Sequence, residues 1–120
     1  MCHGEPLAAL PAPQAGTPFD KGIAGLAFGP SEAAVRLAIL PDIYGMTPFY
    51  RQLATRYAQR GAKVFLVDPF HDFGPLPEAT REAAFARRRN VADRAFLDAF
   101  EGFAKDEGVT GVAGFCLGGF

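Results

Sequence analysis

The residues with the clearest chemical potential form one pattern near the end of the sequence, Gly114-Phe115-Cys116-Leu117-Gly118, which reads G-x-C-x-G. The apolar run VTGVAGF leads into it, so we predict a β-strand that ends in a sharp turn into a helix at Cys116. A helix N-terminus directs N–H groups and partial positive charge at that point, which lowers a thiol pKa and offers the Leu117 N–H to an oxyanion. The pattern therefore favours a cysteine nucleophile for acyl transfer.

The glycines of this segment do not fit the two common phosphate-binding patterns. They stand at positions 111, 114, 118 and 119, which is not G-x-G-x-x-G, and no Gly-Lys-Ser/Thr follows them. One alternative stays open, in which Cys116 is a structural or redox-responsive residue of a non-catalytic α/β binding module. Exposure distinguishes the two, because a catalytic cysteine reacts quickly with thiol reagents and a buried structural one does not.

The elements that must position these residues follow an alternating order. A glycine-containing strand near a sheet edge comes first, and it is followed by a strand, a helix, a strand, two helices and a strand. Short strands that are apolar on both faces and alternate with helices predict an α/β fold with a parallel sheet covered on both sides. The predicted strands cover 22–29, 35–40, 63–68 and 109–115, and the predicted helices cover 48–60, 78–89 and 91–107. Residues 1–21 are predicted to form a surface arm and residues 22–120 to form part of one α/β domain.

Ligands of an open parallel sheet bind beyond the carboxyl ends of its strands, so the segments after Leu40, Val67 and Phe115 form the predicted site. Asp42 and Asp68 lie there, and each is also a typical turn-forming residue. The remaining polar residues of this half of the chain have plainer interpretations. His71 is expected in a solvated loop or at the rim of a pocket, and the run 87–89, three arginines, at a solvated helix end.

Composition excludes several classes of protein. The 120 residues carry 12 basic and 13 acidic side chains, which leaves no excess of positive charge for nucleic-acid binding. No stretch approaches about 18 consecutive apolar residues, so no membrane span is expected. The cysteines Cys2 and Cys116 suggest neither a disulfide framework nor a metal site. The N-terminus lacks the basic region of a secretory signal, so a cytoplasmic location is expected. No metal or organic cofactor is expected either.

Three segments together resemble the dienelactone hydrolase family of α/β-hydrolases. They are GFCLGG at 114–119, LPDIYG at 40–45 and the helix TPFYRQLATRYAQRG at 47–61, and the resemblance covers about residues 22–120. It implies an α/β-hydrolase fold, of which this sequence holds the N-terminal half. It also implies hydrolysis of a small ester or lactone by Cys116, with the N–H groups of Leu117 and Ile43 binding the oxyanion.

The family pattern also assigns roles to side chains outside the G-x-C-x-G segment. A glutamate of the family contacts the nucleophilic thiol, and Asp42, one methylene shorter, stands at that position. Family members that act on carboxylated substrates use an Arg and a Tyr one helical turn apart. Arg81 and Phe85 occupy comparable positions, although Phe85 has no hydroxyl, and Tyr44 is a further expected substrate contact.

In the family, the catalytic triad is completed by an Asp and a His that follow the G-x-C-x-G segment in the sequence. The two histidines of this sequence, His3 and His71, do not stand in that position. We therefore expect the gene to continue for roughly another hundred residues, and the 120-residue chain alone to be inactive.

Overall fold

The computed structural model describes residues 14–115, which form one five-stranded sheet with helices packed on it. A 3₁₀ turn over His71–Phe73 lies in one of the loops. The strands and helices, in chain order, are β1 (Thr17–Asp20), β2 (Ala24–Phe28), β3 (Arg36–Leu40), α1 (Pro48–Gln59), β4 (Lys63–Val67), α2 (Arg81–Arg89), α3 (Asp93–Glu107) and β5 (Gly111–Gly114). This is a mixed α/β architecture, consistent with part of an α/β-hydrolase-like fold.

The strands are ordered β1-β2-β4-β3-β5 across the sheet. Strands β4, β3 and β5 are mutually parallel, as predicted. Strand β2 runs antiparallel to both β1 and β4, so the prediction of a wholly parallel sheet is wrong on this side. The connection explains the pairing of β2 with β1, because a parallel neighbour needs a crossover of about a dozen residues or more. Only residues 21–23 separate β1 from β2, which allows a hairpin and excludes a crossover.

Strand β1 lies inside the segment predicted to be a surface arm, residues 1–21. It pairs with β2, and the ring of Phe19 stacks on that of Phe103 with centroids 5.2 Å apart. Pro18 is tolerated because an edge strand leaves one side of its ladder unpaired. The end of the arm therefore belongs to the sheet, while the division of the chain at residue 21 stays a prediction.

Helix α1 begins and ends at the residues that the sequence indicates. Thr47 is extended, with φ −70° and ψ 167°, and Pro48 occupies the first helical position, where its missing N–H removes no intrahelical bond. Beyond the last turn, Gly61 has φ +95°, a conformation that residues with a Cβ rarely adopt. These two signals fix the length of α1 and thus the point at which the chain enters β4.

Helices α2 and α3 begin two or three residues later than predicted. Thr80 caps α2, because its hydroxyl accepts a hydrogen bond of 3.2 Å from the Ala83 N–H. Helix α3 begins at Asp93 and ends at Gly108, which is left-handed with φ +66°. None of the helices in residues 14–115 combines the length and apolar character needed to cross a bilayer.

Two hydrophobic cores lie on opposite faces of the sheet, because successive side chains of a strand point to opposite sides. One core packs beneath α1 and the other beneath α3. The α1 core contains Phe28, Ile39, Tyr50, Ala54, Val64 and Leu66, and the α3 core contains Ile23, Ala27, Leu40, Phe65, Val67 and Phe103. Helix α3 contributes Phe103, which is buried, and Phe96 and Phe100, which pack at the edge of this second core.

Strand β5 is the least covered part of the sheet. Within the described residues it pairs with β3 alone, and the side chain of Val112 is 55% exposed. A parallel strand normally has both faces covered, whereas the described residues leave the apolar side chain of Val112 exposed.

Candidate active site

The loops that follow the three parallel strands meet at one edge of the sheet. The loop after β3 covers residues 41–47, and the loop after β4 begins at Asp68. The N–H of Phe115 donates a hydrogen bond of 3.1 Å to the Leu40 carbonyl, so the chain beyond β5 reaches the same edge. The predicted nucleophile Cys116, which follows Phe115 in the sequence, lies outside the described residues, as does Leu117.

The carboxylate of Asp42 is held at this edge by two hydrogen bonds. Its Oδ1 accepts from the Tyr44 N–H at 2.9 Å, which closes a tight turn after β3. Its Oδ2 accepts from the Tyr50 hydroxyl at 2.8 Å. Asp42 is only 8% exposed, so both interactions are made largely away from water. The turn-forming role considered for Asp42 is therefore present, and its expected contact with the thiol stays a prediction.

Tyr50 connects this carboxylate to the end of β5. It lies in the first turn of α1 and is fully buried. Burial raises the pKa of Tyr50, and the hydrogen bond to the Asp42 carboxylate raises it further, because both disfavour the phenolate. The Tyr50 ring centroid lies 5.2 Å from that of Phe115. A chain of contacts thus runs from Asp42 through Tyr50 to the residue that precedes Cys116.

An open cleft of about 440 Å³ lies at this edge of the sheet. Tyr44 lines it, and its role as a substrate contact stays a prediction. His71 lines it too, with its side chain 54% exposed and its Nε2 3.7 Å from an Asp20 carboxylate oxygen, so both positions considered for this histidine, in a solvated loop and at the rim of a pocket, fit the structure. The other lining residues are Gly45, Met46, Asp68, Phe70, Gly74, Pro75, Leu76 and Arg87.

Arg87 is the cation of this cleft, although the sequence places it in a solvated helix end. Its guanidinium carbon lies 4.1 Å from the ring centroid of Phe70. Its Nη1 donates to the Gly74 carbonyl at 3.2 Å and its Nη2 to the Ile43 carbonyl at 3.4 Å. Burial lowers the pKa of Arg87, and the negative charge of Asp68 partly offsets this. Arg87 is therefore a structural contact between α2 and both loops of the site.

A second open cavity, of about 600 Å³, lies at the opposite edge of the sheet. Arg36 and Lys63, the first residues of β3 and β4, line it together with Glu107. Ligands of open α/β sheets bind beyond the carboxyl ends of the strands, so its position argues against catalysis there. Residues 14–115 contain no group of three or more His, Cys, Asp or Glu side chains placed to bind a metal.

Comparison with known proteins identifies the relatives of this chain. It is 44% identical, over 120 residues and 99% of its length, to "Carboxymethylenebutenolidase 2" of Cupriavidus pinatubonensis. It is 42% identical, over 87 residues and 69% of its length, to the carboxymethylenebutenolidase of Rhodococcus opacus. The chain is homologous to the dienelactone hydrolases. The resemblance that GFCLGG and LPDIYG indicate is thereby confirmed.

The chain spans about half the length of the first of these dienelactone hydrolases. The aligned part covers 51% of the Cupriavidus protein and 34% of the Rhodococcus protein. No family model and no solved structure matches the chain.

The two side chains that the dienelactone hydrolase resemblance assigns to carboxylate binding lie outside the lining of the cleft. Arg81 is exposed in the first turn of α2, and its guanidinium carbon lies 5.6 Å from the Phe85 ring centroid. The two residues thus contact each other, and neither is among those that line the cleft. Their role in substrate binding stays a prediction.

Sequence reasoning missed two residues of the site, Tyr50 and Arg87. A signal for each was present. Tyr50 shares a helical face with Leu53 and Ala54, and a tyrosine buried on such a face needs a partner for its hydroxyl. Arg87 lies three residues after Ala84, which is fully buried, so helical spacing places Arg87 on the inner side of α2.

Proposed function

We propose that the complete protein hydrolyses a small ester or lactone with Cys116 as the nucleophile. The observation that carries this proposal is the 44% identity to a carboxymethylenebutenolidase over 99% of the chain, which includes the G-x-C-x-G pattern. The geometry supports it, because the loops after β3 and β4 and the end of β5 meet at one edge of the sheet, where the two loops line an open cleft. The name of both relatives describes a carboxylated butenolide, so a small lactone is the first substrate class to test.

The proposed reaction has two steps. The Cys116 thiolate attacks the carbonyl carbon of the ester or lactone, the acyl C–O bond breaks, and the departing oxygen takes a proton from a general acid. Water then attacks the thioester, giving the carboxylic acid and regenerating the thiol. A lactone opens in the first step, so its hydroxyl group stays attached to the acyl group.

Backbone N–H groups are proposed to bind the oxyanion that forms in both steps. Within residues 14–115 the Ile43 N–H makes no hydrogen bond, although the Ile43 side chain is buried. An N–H that is held by the fold and is left without a protein acceptor suits a developing negative charge. The Leu117 N–H is proposed as the second donor, from the position that follows Cys116 in the sequence.

Asp42 is proposed to tune the thiol. Its carboxylate is fixed by Tyr44 and Tyr50, and the Tyr50 ring contacts Phe115, the neighbour of Cys116 in the sequence. A carboxylate near a thiol disfavours the thiolate. In the complete protein, Asp42→Asn is therefore expected to shift the pH dependence of Cys116 alkylation to lower pH. An unchanged alkylation profile would leave Asp42 with its structural role alone.

The general base and its orienting carboxylate are proposed to lie in a further segment of roughly one hundred residues that continues the α/β-hydrolase fold. The relatives are about twice as long as this chain, which supports the proposal. The exposed edge of β5 supports it too, since a further strand and helices would cover Val112. We expect the isolated 120-residue chain to show no turnover beyond slow stoichiometric acylation of Cys116.

The test is hydrolysis of p-nitrophenyl acetate and of a small lactone by the protein as its gene encodes it. Cys116→Ala is expected to abolish turnover while leaving the circular dichroism spectrum unchanged, because Cys and Ala differ little in size. Cys2→Ala, which removes the other thiol of this sequence, serves as the matched control and should retain full activity. Undiminished turnover in Cys116→Ala would reassign the nucleophile and overturn the proposal.

A further inference from the structure

We propose that Arg87 is a positioning residue, which holds the loop at 41–45 so that the Ile43 N–H points at the oxyanion. This inference rests on the proposed function, because it assigns the Ile43 N–H to the reaction. It concerns a residue that touches the loop rather than the substrate. The geometry that supports it is a single peptide unit restrained at both of its ends.

That unit is the peptide between Ile43 and Tyr44. Its carbonyl oxygen accepts from Arg87 Nη2 at 3.4 Å, and its N–H donates to Asp42 Oδ1 at 2.9 Å. The N–H of Gly45 also donates to the Asp42 carbonyl, at 3.0 Å. Rotation of the peptide therefore breaks two hydrogen bonds together, one on each side. The Ile43 N–H belongs to the preceding peptide, between Asp42 and Ile43, whose Asp42 carbonyl oxygen accepts from the Gly45 N–H. This bond sets the direction of the Ile43 N–H, and the restrained Ile43–Tyr44 peptide holds the turn in which it lies.

Arg87 is itself braced by the rest of the site. Its guanidinium rests on the Phe70 ring at 4.1 Å, and its Nη1 donates to the Gly74 carbonyl at 3.2 Å. Its Nε is buried and has no hydrogen-bond partner among the described residues. A side chain fixed by a ring and by two carbonyls in different loops loses little further freedom when the substrate binds.

Gly45 leaves the space that this arrangement needs. A Cβ at position 45 would lie 3.3 Å from Arg87 Nη2, which is closer than nearly all side-chain contacts. The backbone of Gly45 also has φ +84°, so glycine suits this position for two independent reasons. The turn after β3 and the guanidinium thus fit together.

Positioning and substrate binding predict different kinetics. A positioning residue acts on the transition state, so its loss lowers kcat and leaves KM nearly unchanged for every substrate. A residue that binds an anionic group of the substrate instead raises KM for carboxylated substrates alone. Loss of one oxyanion donor lowers kcat by roughly 100- to 1,000-fold, and a misdirected donor should cost part of this, about 10-fold or more.

The experiment uses the protein as its gene encodes it, with Arg87→Ala, Arg87→Lys and the control Arg89→Ala. Arg89 is exposed on the same helix, so Arg89→Ala removes the same charge without touching the loop. Hydrolysis of p-nitrophenyl acetate and of a carboxylated p-nitrophenyl ester is measured with and without millimolar guanidinium chloride. We expect Arg87→Ala to lose about 10-fold or more in kcat on both esters, with KM within about twofold. Guanidinium should restore part of kcat in this variant, and Arg89→Ala should match the wild type.

A second readout does not depend on activity. Amide hydrogen exchange at the Tyr44 N–H should become at least about 10-fold faster in Arg87→Ala, because the peptide is then held at one end only. If Arg87→Ala does not fold, Arg87→Lys provides both readouts. Unchanged kcat and unchanged exchange in a folded variant would overturn the inference, and so would a KM increase confined to the carboxylated ester. Hydrolysis that survives Cys116→Ala would instead overturn the proposed function, while the exchange result still decides the role of Arg87 in the loop.

Discussion

Replacement of Tyr50 by Phe isolates one hydrogen bond in the core of the site. The Tyr50 hydroxyl is fully buried and donates to the Asp42 carboxylate at 2.8 Å. Phenylalanine keeps the ring, so the substitution removes the hydroxyl and its hydrogen bond to the Asp42 carboxylate. Such bonds contribute about 1.5–3 kcal/mol, and we expect Tyr50→Phe to lower the free energy of unfolding by about 2 kcal/mol.

The assay is urea unfolding at neutral pH, followed by circular dichroism, with m-values compared between variants. Tyr57 provides the control, because it lies on the same helix, is 40% exposed and makes no hydrogen bond through its side chain to a described residue. Tyr57→Phe should change the free energy of unfolding by less than about 0.5 kcal/mol. A loss in Tyr50→Phe as small as that of the control would refute the reasoning, because removal of a hydrogen bond to a buried carboxylate should lower the free energy of unfolding by more than this.

The same variant makes a prediction about alkaline pH. The folded-state pKa of Tyr50 lies above its ordinary value of 10.0, chiefly through burial and then through Asp42. Above pH 10 the unfolded chain therefore releases this proton while the folded chain keeps it, and the free energy of unfolding falls by about 1.4 kcal/mol per pH unit. Tyr50→Phe lacks this contribution, so the difference between wild type and variant should narrow from about pH 10 upward. A difference that stays constant to about pH 11 would contradict the raised pKa.

Four further substitutions test the fold around the site. Thr80→Ala removes the hydroxyl that caps α2 and should lower the free energy of unfolding by about 1 kcal/mol, with faster hydrogen exchange at Ala83; unchanged exchange would argue against the cap. Gly25→Ala should lower the stability by about 2 kcal/mol or more, because its Cβ would lie 2.1 Å from the Leu66 carbonyl oxygen, whereas Gly102→Ala meets no atom within 4 Å and should stabilise α3 by up to about 1 kcal/mol. Equal effects of the two glycine substitutions in urea unfolding would contradict this contrast. Val112→Lys should destabilise the complete protein by about 1.5–3 kcal/mol if a further segment covers β5, and should improve the solubility of the 120-residue chain; neutrality in both, by unfolding and by sedimentation, would mean that this edge stays open.

Local signals were sufficient to predict most of the elements. The strands β3, β4 and β5 follow from short apolar runs, and α1 follows from Thr47, Pro48 and Gly61, which act within one turn of the helix ends. Strand β1 was missed because its pairing is decided elsewhere in the chain. Its four residues include a proline and an aspartate, and only the ladder with β2 and the contact with Phe103 show that they belong to the sheet.

The contacts of Arg87 in the site likewise could not be predicted from the local sequence. Its neighbours in sequence are arginines, which favours a solvated helix end, yet its contacts are Phe70, 17 positions earlier, and Ile43, 44 positions earlier. Helical spacing from Ala84 indicates which way the side chain points, but only the fold determines what it meets there. A guanidinium can be partly buried at this point because a ring and two carbonyl groups replace part of the water that it loses.

Asp42 combines two requirements that the sequence presents as alternatives. An aspartate side chain is the right length to accept a hydrogen bond from the N–H two residues later, as Asp42 does from Tyr44, and the extra methylene of glutamate makes this turn harder to close. Each carboxylate oxygen has two acceptor directions, so Asp42 Oδ2 can receive the Tyr50 hydroxyl and still present negative charge to a neighbouring group. Asp42 therefore closes the loop of Ile43 through one oxygen and binds the Tyr50 hydroxyl through the other, while the action on the thiol stays a proposal. Asp42→Glu should retain the charge and loosen the turn, so it separates the structural role from the proposed one: we expect faster exchange of the Tyr44 N–H and an unshifted alkylation profile.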